Sequence, residues 1–162
     1  LDMRLGTGQQ ISAADWLNRA NEVEIGDALY EYGDRHSSRH LARKILAFRR
    51  KQQFKFARDL KEALAITRPS EFAPVWQALR IVVNNEFDEI KEALPKAIAL
   101  LKSGGVMALI TFHSGEDRIV KRHLLSAKDS LVGKQRLVTP EFAEIRRNSR
   151  ARSAKLRVVV KL

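Results

Sequence analysis

The residues with the most chemical potential sit in one stretch, Gly104 to Arg122, which reads GGVMALITFHSGEDRIVKR. His113 and Ser114 follow an apolar run, Val106 to Phe112, at the point where the chain turns polar. A short continuous apolar run bounded by glycine and polar residues reads as a strand buried on both faces. In sheets of that kind, ligands sit beyond the carboxyl ends of the strands. His113 and Ser114 therefore fall where such a sheet does its chemistry. They either line a cleft or cap the helix that follows. Glu116 and Asp117 have the composition of a carboxylate pair or a metal site. Acidic residues in the first turn of a helix, however, stabilise its dipole, so no metal is expected. Arg118, Lys121 and Arg122 fall on later turns, to pair with these acids or to face phosphates.

The second chemical signal is charge. The 162 residues carry 30 basic and 19 acidic side chains, a net charge of +11. Residues 1–34 hold 2 basic against 7 acidic groups, and residues 35–68 hold 11 against 2. Residues 69–112 hold 4 against 5, and residues 113–162 hold 13 against 5. Two separated basic blocks point to a polyanion, most simply nucleic acid. In the first block, Arg39, Arg43, Lys44, Arg49 and Arg50 share a helical face opposite Leu41, Ile45, Leu46 and Phe48. In the second, Arg150, Arg152, Lys155 and Arg157 surround a loop and the start of the last strand. Alternation sends Lys155 and Arg157 to one side, either toward an RNA backbone or as guards of a solvated sheet edge. The aromatic residues Trp16, Tyr30, Trp76 and Phe87 occupy apolar helical positions and are expected in the core.

These residues need elements to position them. Ser12 caps a helix over 12–18, with Asp15 three residues on. A second helix runs over 22–32, ended by Gly33. A third runs from Ser37 or Ser38 to Lys51, and a fourth over 56–64. Arg68 to Pro74, with two prolines, reads as a connector. Val75, Leu79, Val82, Val83, Phe87, Ile90 and Leu94 then recur at helical spacing, with a kink or restart at Pro95. Gly104 and Gly105 stop that helix ahead of the strand at 106–112. A helix over 116–125, a loop at 128–134, a strand at 136–139 and a helix at 140–147 follow. A basic loop then leads to a β-branched strand over 154–162. The order predicts a helical module followed by the trailing part of a doubly wound α/β sheet. The strands at 106–112 and 155–161 are both expected inside a mixed sheet. Cysteine is absent, which excludes disulfides and Cys-ligated zinc. No run reaches the ~18–20 apolar residues of a membrane span. The opening at Leu1 suggests that an N-terminal portion precedes it.

Several blocks fall in an order met elsewhere: LDMR, SAADWLN, ALYEYGD, WQALRIVVNNEFDEI, LKSGGVMALITFHSGEDRIVKR and NSRARSAKLRV. By them the chain resembles the bacterial RsmH/MraW-type methyltransferases over nearly its whole length. The resemblance implies dependence on S-adenosyl-L-methionine and methylation of the exocyclic N4 of a cytidine in the decoding region. The implied partner is small-subunit ribosomal RNA or the 30S subunit, in the cytoplasm. The implied fold is α/β, part of a Rossmann-like methyltransferase sheet with an inserted helical module. Residues 1–11 would link from a cofactor-binding half upstream, 12–75 form the insert, and 76–162 return to the sheet. The chain would then be the C-terminal half, inactive alone. Asp2 and Arg4 would lie near the cofactor, whose main motif is upstream. His113 and Ser114 would lie on the substrate side of the cleft. Methyl transfer to an amine needs alignment and desolvation more than a strong base, so neither is assigned as a general base. RNA contacts would come from Arg39, Arg43, Lys44, Arg49, Arg50, Arg118, Lys121, Arg122, Arg150, Arg152, Lys155 and Arg157.

The chain departs from the pattern in several places: the family's Gly-rich cofactor loop and the acidic residue after its second strand are absent here, and the connection before Pro69 is short. SEFAPV stands where the family has a HPATRT-like stretch, HSGED stands for HSLED, and NSRARS stands for NPRSRS. A second reading from another class is a non-catalytic RNA- or ribosome-binding module using the same basic blocks. A Gly-rich loop after an upstream strand would discriminate the enzyme from it. A DNA-binding helical protein fits the buried strand and polar turn poorly. The oligomeric state is not legible.

Overall fold

The structure is a computed structural model and describes residues 1–6, 8, 11–33, 37–127 and 131–162, with only the backbone over 131–135. It divides into two compact units, Leu1–Glu86 and Phe87–Leu162.

The first unit is helical: α1 (Ala13–Arg19), α2 (Glu22–Glu31), α3 (Ser38–Arg49), α4 (Ala57–Leu64) and α5 (Pro69–Asn84). Local chemistry starts the first of these helices. Ser12 and Asp15 exchange side-chain and backbone bonds around the start of α1, and Asn21 and Glu24 do the same for α2. Phe56 has no oxygen to cap α4, so Asp59 accepts the N–H groups of Lys55 and Phe56, each at 2.8 Å. The core holds Leu17, Ile25, Leu29, Ile45, Phe54 and Leu60, with Val75 and Leu79 from α5. At Gly33 a Cβ would lie 2.8 Å from both the Leu29 and Pro74 carbonyls, so the end of α2 reaches α5 only because this residue is glycine.

Three sequence expectations are corrected here. Residues 68–74 are not a connector: Pro69 occupies the first turn of α5 and Pro74 lies inside it. A proline's fixed φ is pre-organised for a first turn, where its missing N–H removes no bond. The helical run breaks at Asn85, not Pro95. Asn85 adopts φ 51°, while Pro95 stays within α6 (Glu86–Leu100). Asparagine tolerates that left-handed geometry better than most residues. Neighbouring Asn84 accepts the Leu5 N–H and donates to the Met3 and Arg80 carbonyls, fixing the end of α5. Tyr30 is not core but 56% exposed.

The second unit contains α6 from Phe87 onward, β1 (Val106–Thr111), α7 (Ser114–Ser126), β2 (Leu131–Val138), α8 (Phe142–Arg147), a 3₁₀ turn (Ser149–Ser153) and β3 (Lys155–Lys161). The fold class of the chain is thus mixed α/β. The strands run β1-β3-β2, and both pairings are antiparallel, with a bulge between Val132 and Arg136. The expected loop at 128–134 lies partly outside the described residues, and β2 begins at Leu131. The expectation of a mixed sheet with both long strands internal is corrected. The three-stranded sheet is wholly antiparallel, β3 is central, and β1 pairs on one side with β3.

Burial on both faces of β1 is corrected as well. Met107 and Thr111 are buried, whereas Val106 and Ile110 are each 60% exposed. The inner face packs with Leu94 and Ile98 of α6, Val120 and Leu124 of α7, and Val159. Register explains the division. Val106, Ala108 and Ile110 oppose Val160, Val158 and Leu156, while Leu109 and Thr111 oppose Arg157 and Lys155. Among the described residues, no helix is long and apolar enough to cross a membrane.

Candidate functional site

The candidate site is the turn from β1 into α7. β1 delivers its last residue, Thr111, buried. His113 then takes an extended conformation (φ −143°, ψ 165°) and caps α7. Its Nδ1 accepts the Glu116 N–H at 3.4 Å. The Glu116 carboxylate reaches back to accept the Phe112 N–H at 2.8 Å. Turn and helix start are thereby locked reciprocally, in the manner of a capping box with histidine in place of serine. Nε2 lies 2.9 Å from Oε1 of Glu116, a close polar contact without well-directed hydrogen-bond geometry. The Phe87 ring stacks on the imidazole, with centroids 5.7 Å apart and planes 24° apart. Ser114, the first residue of α7, is exposed.

Electrostatics hold the turn. Burial disfavours charge on Glu116, but the adjacent His113 side chain and the bond from the Phe112 N–H outweigh it and lower its pKa. Asp117 is the hub beneath. Its carboxylate accepts from Arg157 Nε at 2.8 Å and Nη2 at 3.2 Å, and from Lys155 Nζ at 2.9 Å. The Arg157 guanidinium lowers the Asp117 pKa against the opposing effect of burial, and Lys155 adds to it. Asp117 and Arg157 are 7% and 6% exposed. The hub ties the first turn of α7 to the central strand. Beside the turn lies a cavity of about 290 Å³, lined mainly by apolar side chains of α6, β1 and α7, with Thr111 and Glu116 as its polar members. Such a place can hold an apolar or planar group.

The structure places the remaining expected residues as follows. Asp2 and Arg4 belong to the first unit and bond each other at 2.6 and 2.9 Å, which lowers the Asp2 pKa to about 2. On α3, Arg39 pairs with Asp27 at 2.8 Å, and Arg43 lies 4.0 Å from Glu22. Lys44 donates to the Leu64 carbonyl at 3.0 Å. Arg49 donates to the Leu17 and Ala20 carbonyls, each at 2.7 Å, which caps the end of α1. Arg50 is exposed, as are Arg118, Lys121, Arg122, Arg150 and Arg152. Lys155 and Arg157 do share a face, as alternation requires, and that face meets α7, with Arg157 buried and Lys155 partly exposed. Arg157 is therefore withdrawn as an RNA contact, since a guanidinium buried against Asp117 has no surface for a phosphate. Among the described residues no group of three or more His, Asp or Glu could hold a metal.

Sequence reasoning missed Asp117 as a hub and Phe87 as the partner of His113. A signal existed for Asp117: basic residues at alternate positions of an otherwise apolar central strand require a buried counter-charge.

The family model described as the MraW methylase family matches residues 1–162. The ribosomal RNA small subunit methyltransferase H of Dictyoglomus turgidum is 41% identical over 98% of this chain and 55% of the relative. Its counterpart in Trichormus variabilis is 40% identical over 99% of this chain and 54% of the relative. That of Persephonella marina is 37% identical over 100% of this chain and 59% of the relative. The chain thus spans about half the length of the curated relatives it matches.

Proposed function

The chain belongs to the MraW methylase family, and from that premise we propose that it is the C-terminal half of an S-adenosylmethionine-dependent methyltransferase. The proposed substrate is the exocyclic N4 of a cytidine in small-subunit ribosomal RNA, presented as RNA or in the 30S subunit, in the cytoplasm. The observation that carries the reading is the locked turn 112–117 at the carboxyl end of β1, beside an apolar cavity. Ligands of open α/β sheets bind at that end. A base taken out of its stack needs an apolar, water-poor place to lie.

The sheet is proposed to extend. β1 leaves one edge unpaired among the described strands and exposes Val106 and Ile110, which a larger Rossmann-like sheet and its helices would cover. Residues 12–75 are proposed as the inserted helical module, 1–11 as the link into it and 76–162 as the return to the sheet. The compact division at 86/87 lies beyond α5, whereas this assignment, which rests on resemblance, divides within α5.

The cofactor donates the methyl group in such an enzyme. The residues of this chain do not by themselves fit it. The glycines at 6 and 8 follow no strand, and Gly104 sits in the turn ahead of β1. The Asp2 carboxylate is committed to Arg4. What these residues supply is the substrate side. The exposed Ser114 hydroxyl offers a group that orients a base, and the His113 ring, whose two nitrogens both face Glu116, holds the turn that presents it. The apolar walls offer the base a face to lie against. Proposed phosphate contacts are Arg39, Arg43, Arg50, Arg118, Lys121, Arg122, Arg150 and Arg152. The surface pairs Arg39–Asp27 and Arg43–Glu22 are weak enough to be exchanged for phosphates.

The test is methyl transfer by the full-length protein. His113→Ala should lower turnover more than it weakens S-adenosylmethionine binding. Turnover equal to wild type would remove the turn from the site.

A further inference from the structure

We propose that Phe87 and Gly115 form a matched pair that fixes the plane and position of the His113 imidazole, making Phe87 a positioning residue for the substrate side of the cleft. The proposal rests on the reading of the 112–117 turn given above. Gly115 is buried in the first turn of α7. A Cβ built on it would lie 2.5 Å from Cζ and 3.2 Å from Cε2 of Phe87, and 3.2 Å from Nδ1 of His113. Real side chains do not approach so closely, so position 115 stays bare while Phe87 keeps its place. Among the described glycines only Gly104 has a positive φ, so the demand at 115 is for space and not for backbone freedom.

The room left at 115 admits the Phe87 ring, and that ring faces the imidazole at 5.7 Å between centroids. The bond from the Glu116 N–H fixes His113 along one edge, at Nδ1. A bond at a single ring atom leaves the imidazole free to tilt about it. A flat aromatic face at stacking distance opposes that tilt. Phe87 also stands outside the buried cluster of Leu94, Ile98, Met107, Val120, Leu124 and Val159. Its place is beside the candidate site rather than within the core of the unit.

In the full-length protein, methyl transfer to small ribosomal subunits is followed with labelled S-adenosylmethionine for His113→Ala, Phe87→Ala, Gly115→Leu and the double variant Phe87→Ala/Gly115→Leu. Each single change at 87 or 115 is expected to lower kcat on the order of tenfold to a hundredfold, the effect of a misplaced group. The KM for S-adenosylmethionine should stay unchanged. The double variant nearly conserves volume, the kind of swap cores tolerate best, and should recover most of kcat. Should Gly115→Leu not fold, Phe87→Ala and the double variant carry the test. Wild-type kcat in Phe87→Ala, with His113→Ala impaired, overturns the pairing. A double variant no better than Phe87→Ala overturns it too. Wild-type kcat in His113→Ala overturns the reading of the turn, and the pairing falls with it.

Discussion

Asp117 is the residue on which the second unit turns. Its carboxylate is buried between the Arg157 guanidinium and the Lys155 ammonium, and it joins α7 to the central strand. Removing one partner of a buried pair strands the other charge, which is costly. Asp117→Ala should therefore destabilise the chain by about 3 kcal/mol, read as a shift in the urea midpoint. Lys155→Ala should cost less than about 1 kcal/mol, because that ammonium is partly solvated and its pairing is screened. Equal losses from the two would remove Asp117 from its place as hub. The same residues set the acid limit. Asp117 and Glu116 have folded pKa values below their unfolded ones. Their contribution is then complete above the unfolded carboxylate values, near pH 4, and is lost as pH falls through the lowered folded values. Near-UV circular dichroism should show tertiary structure lost on that acid side. Asp117→Asn should flatten the dependence there and leave it unchanged between pH 5 and 8. A loss of structure centred above about pH 6 would assign the acid limit to other groups.

At the scale of elements, α3 carries two kinds of cation that look alike in sequence. Lys44 and Arg49 donate to main-chain carbonyls, while Arg50 faces solvent and Arg39 and Arg43 form exposed ion pairs. Reversing Arg39, Arg43 and Arg50 together should reduce the salt dependence of RNA binding by about one unit for each phosphate no longer neutralised, and leave stability nearly intact. Arg49→Glu should instead lower the melting temperature, since the α1 carbonyls lose their donor. An unchanged salt slope in the triple variant would leave that face merely solvated. This division also marks what the sequence could disclose. The first helix cap and the strands at 106–111 and 155–161 were legible because their causes are local: Ser12 with Asp15, the apolar run after Gly105, and β-branched alternation at the end of the chain. The break at Asn85 was not, because its cause is the hold of Asn84 on Met3 and Leu5, far away in the chain. Nor was the inward turn of Lys155 and Arg157, since their partner is 38 and 40 residues off. His113 was legible by its place after an apolar strand. The stacking of Phe87 on it was not, because periodicity assigns an aromatic on a helix to the core.

For the molecule as a whole, the decisive question is what the chain can bind by itself. In a Rossmann-like methyltransferase the cofactor lies over the first strands, on a glycine turn whose backbone approaches it closely. Here the glycines at 6 and 8 follow no strand and Gly104 precedes β1, while the turn at 112–117 that follows β1 holds a histidine and a hydroxyl beside an apolar cavity. The outer face of β1 is exposed, and its edge is unpaired among the described strands, so further strands and helices have a place to pack. The chain alone should therefore bind RNA weakly, through its exposed cations, and bind S-adenosylmethionine hardly at all. Joined to the upstream half proposed above, it should gain both cofactor binding and methyl transfer. Calorimetry with S-adenosylmethionine, on the chain alone and on the full-length protein, makes the comparison. Hydrogen exchange should show Val106 to Thr111 more protected in the longer protein, because a paired edge and a covered face both slow opening. Micromolar cofactor binding by the chain alone would put the cofactor site among these residues and displace the turn from the substrate side.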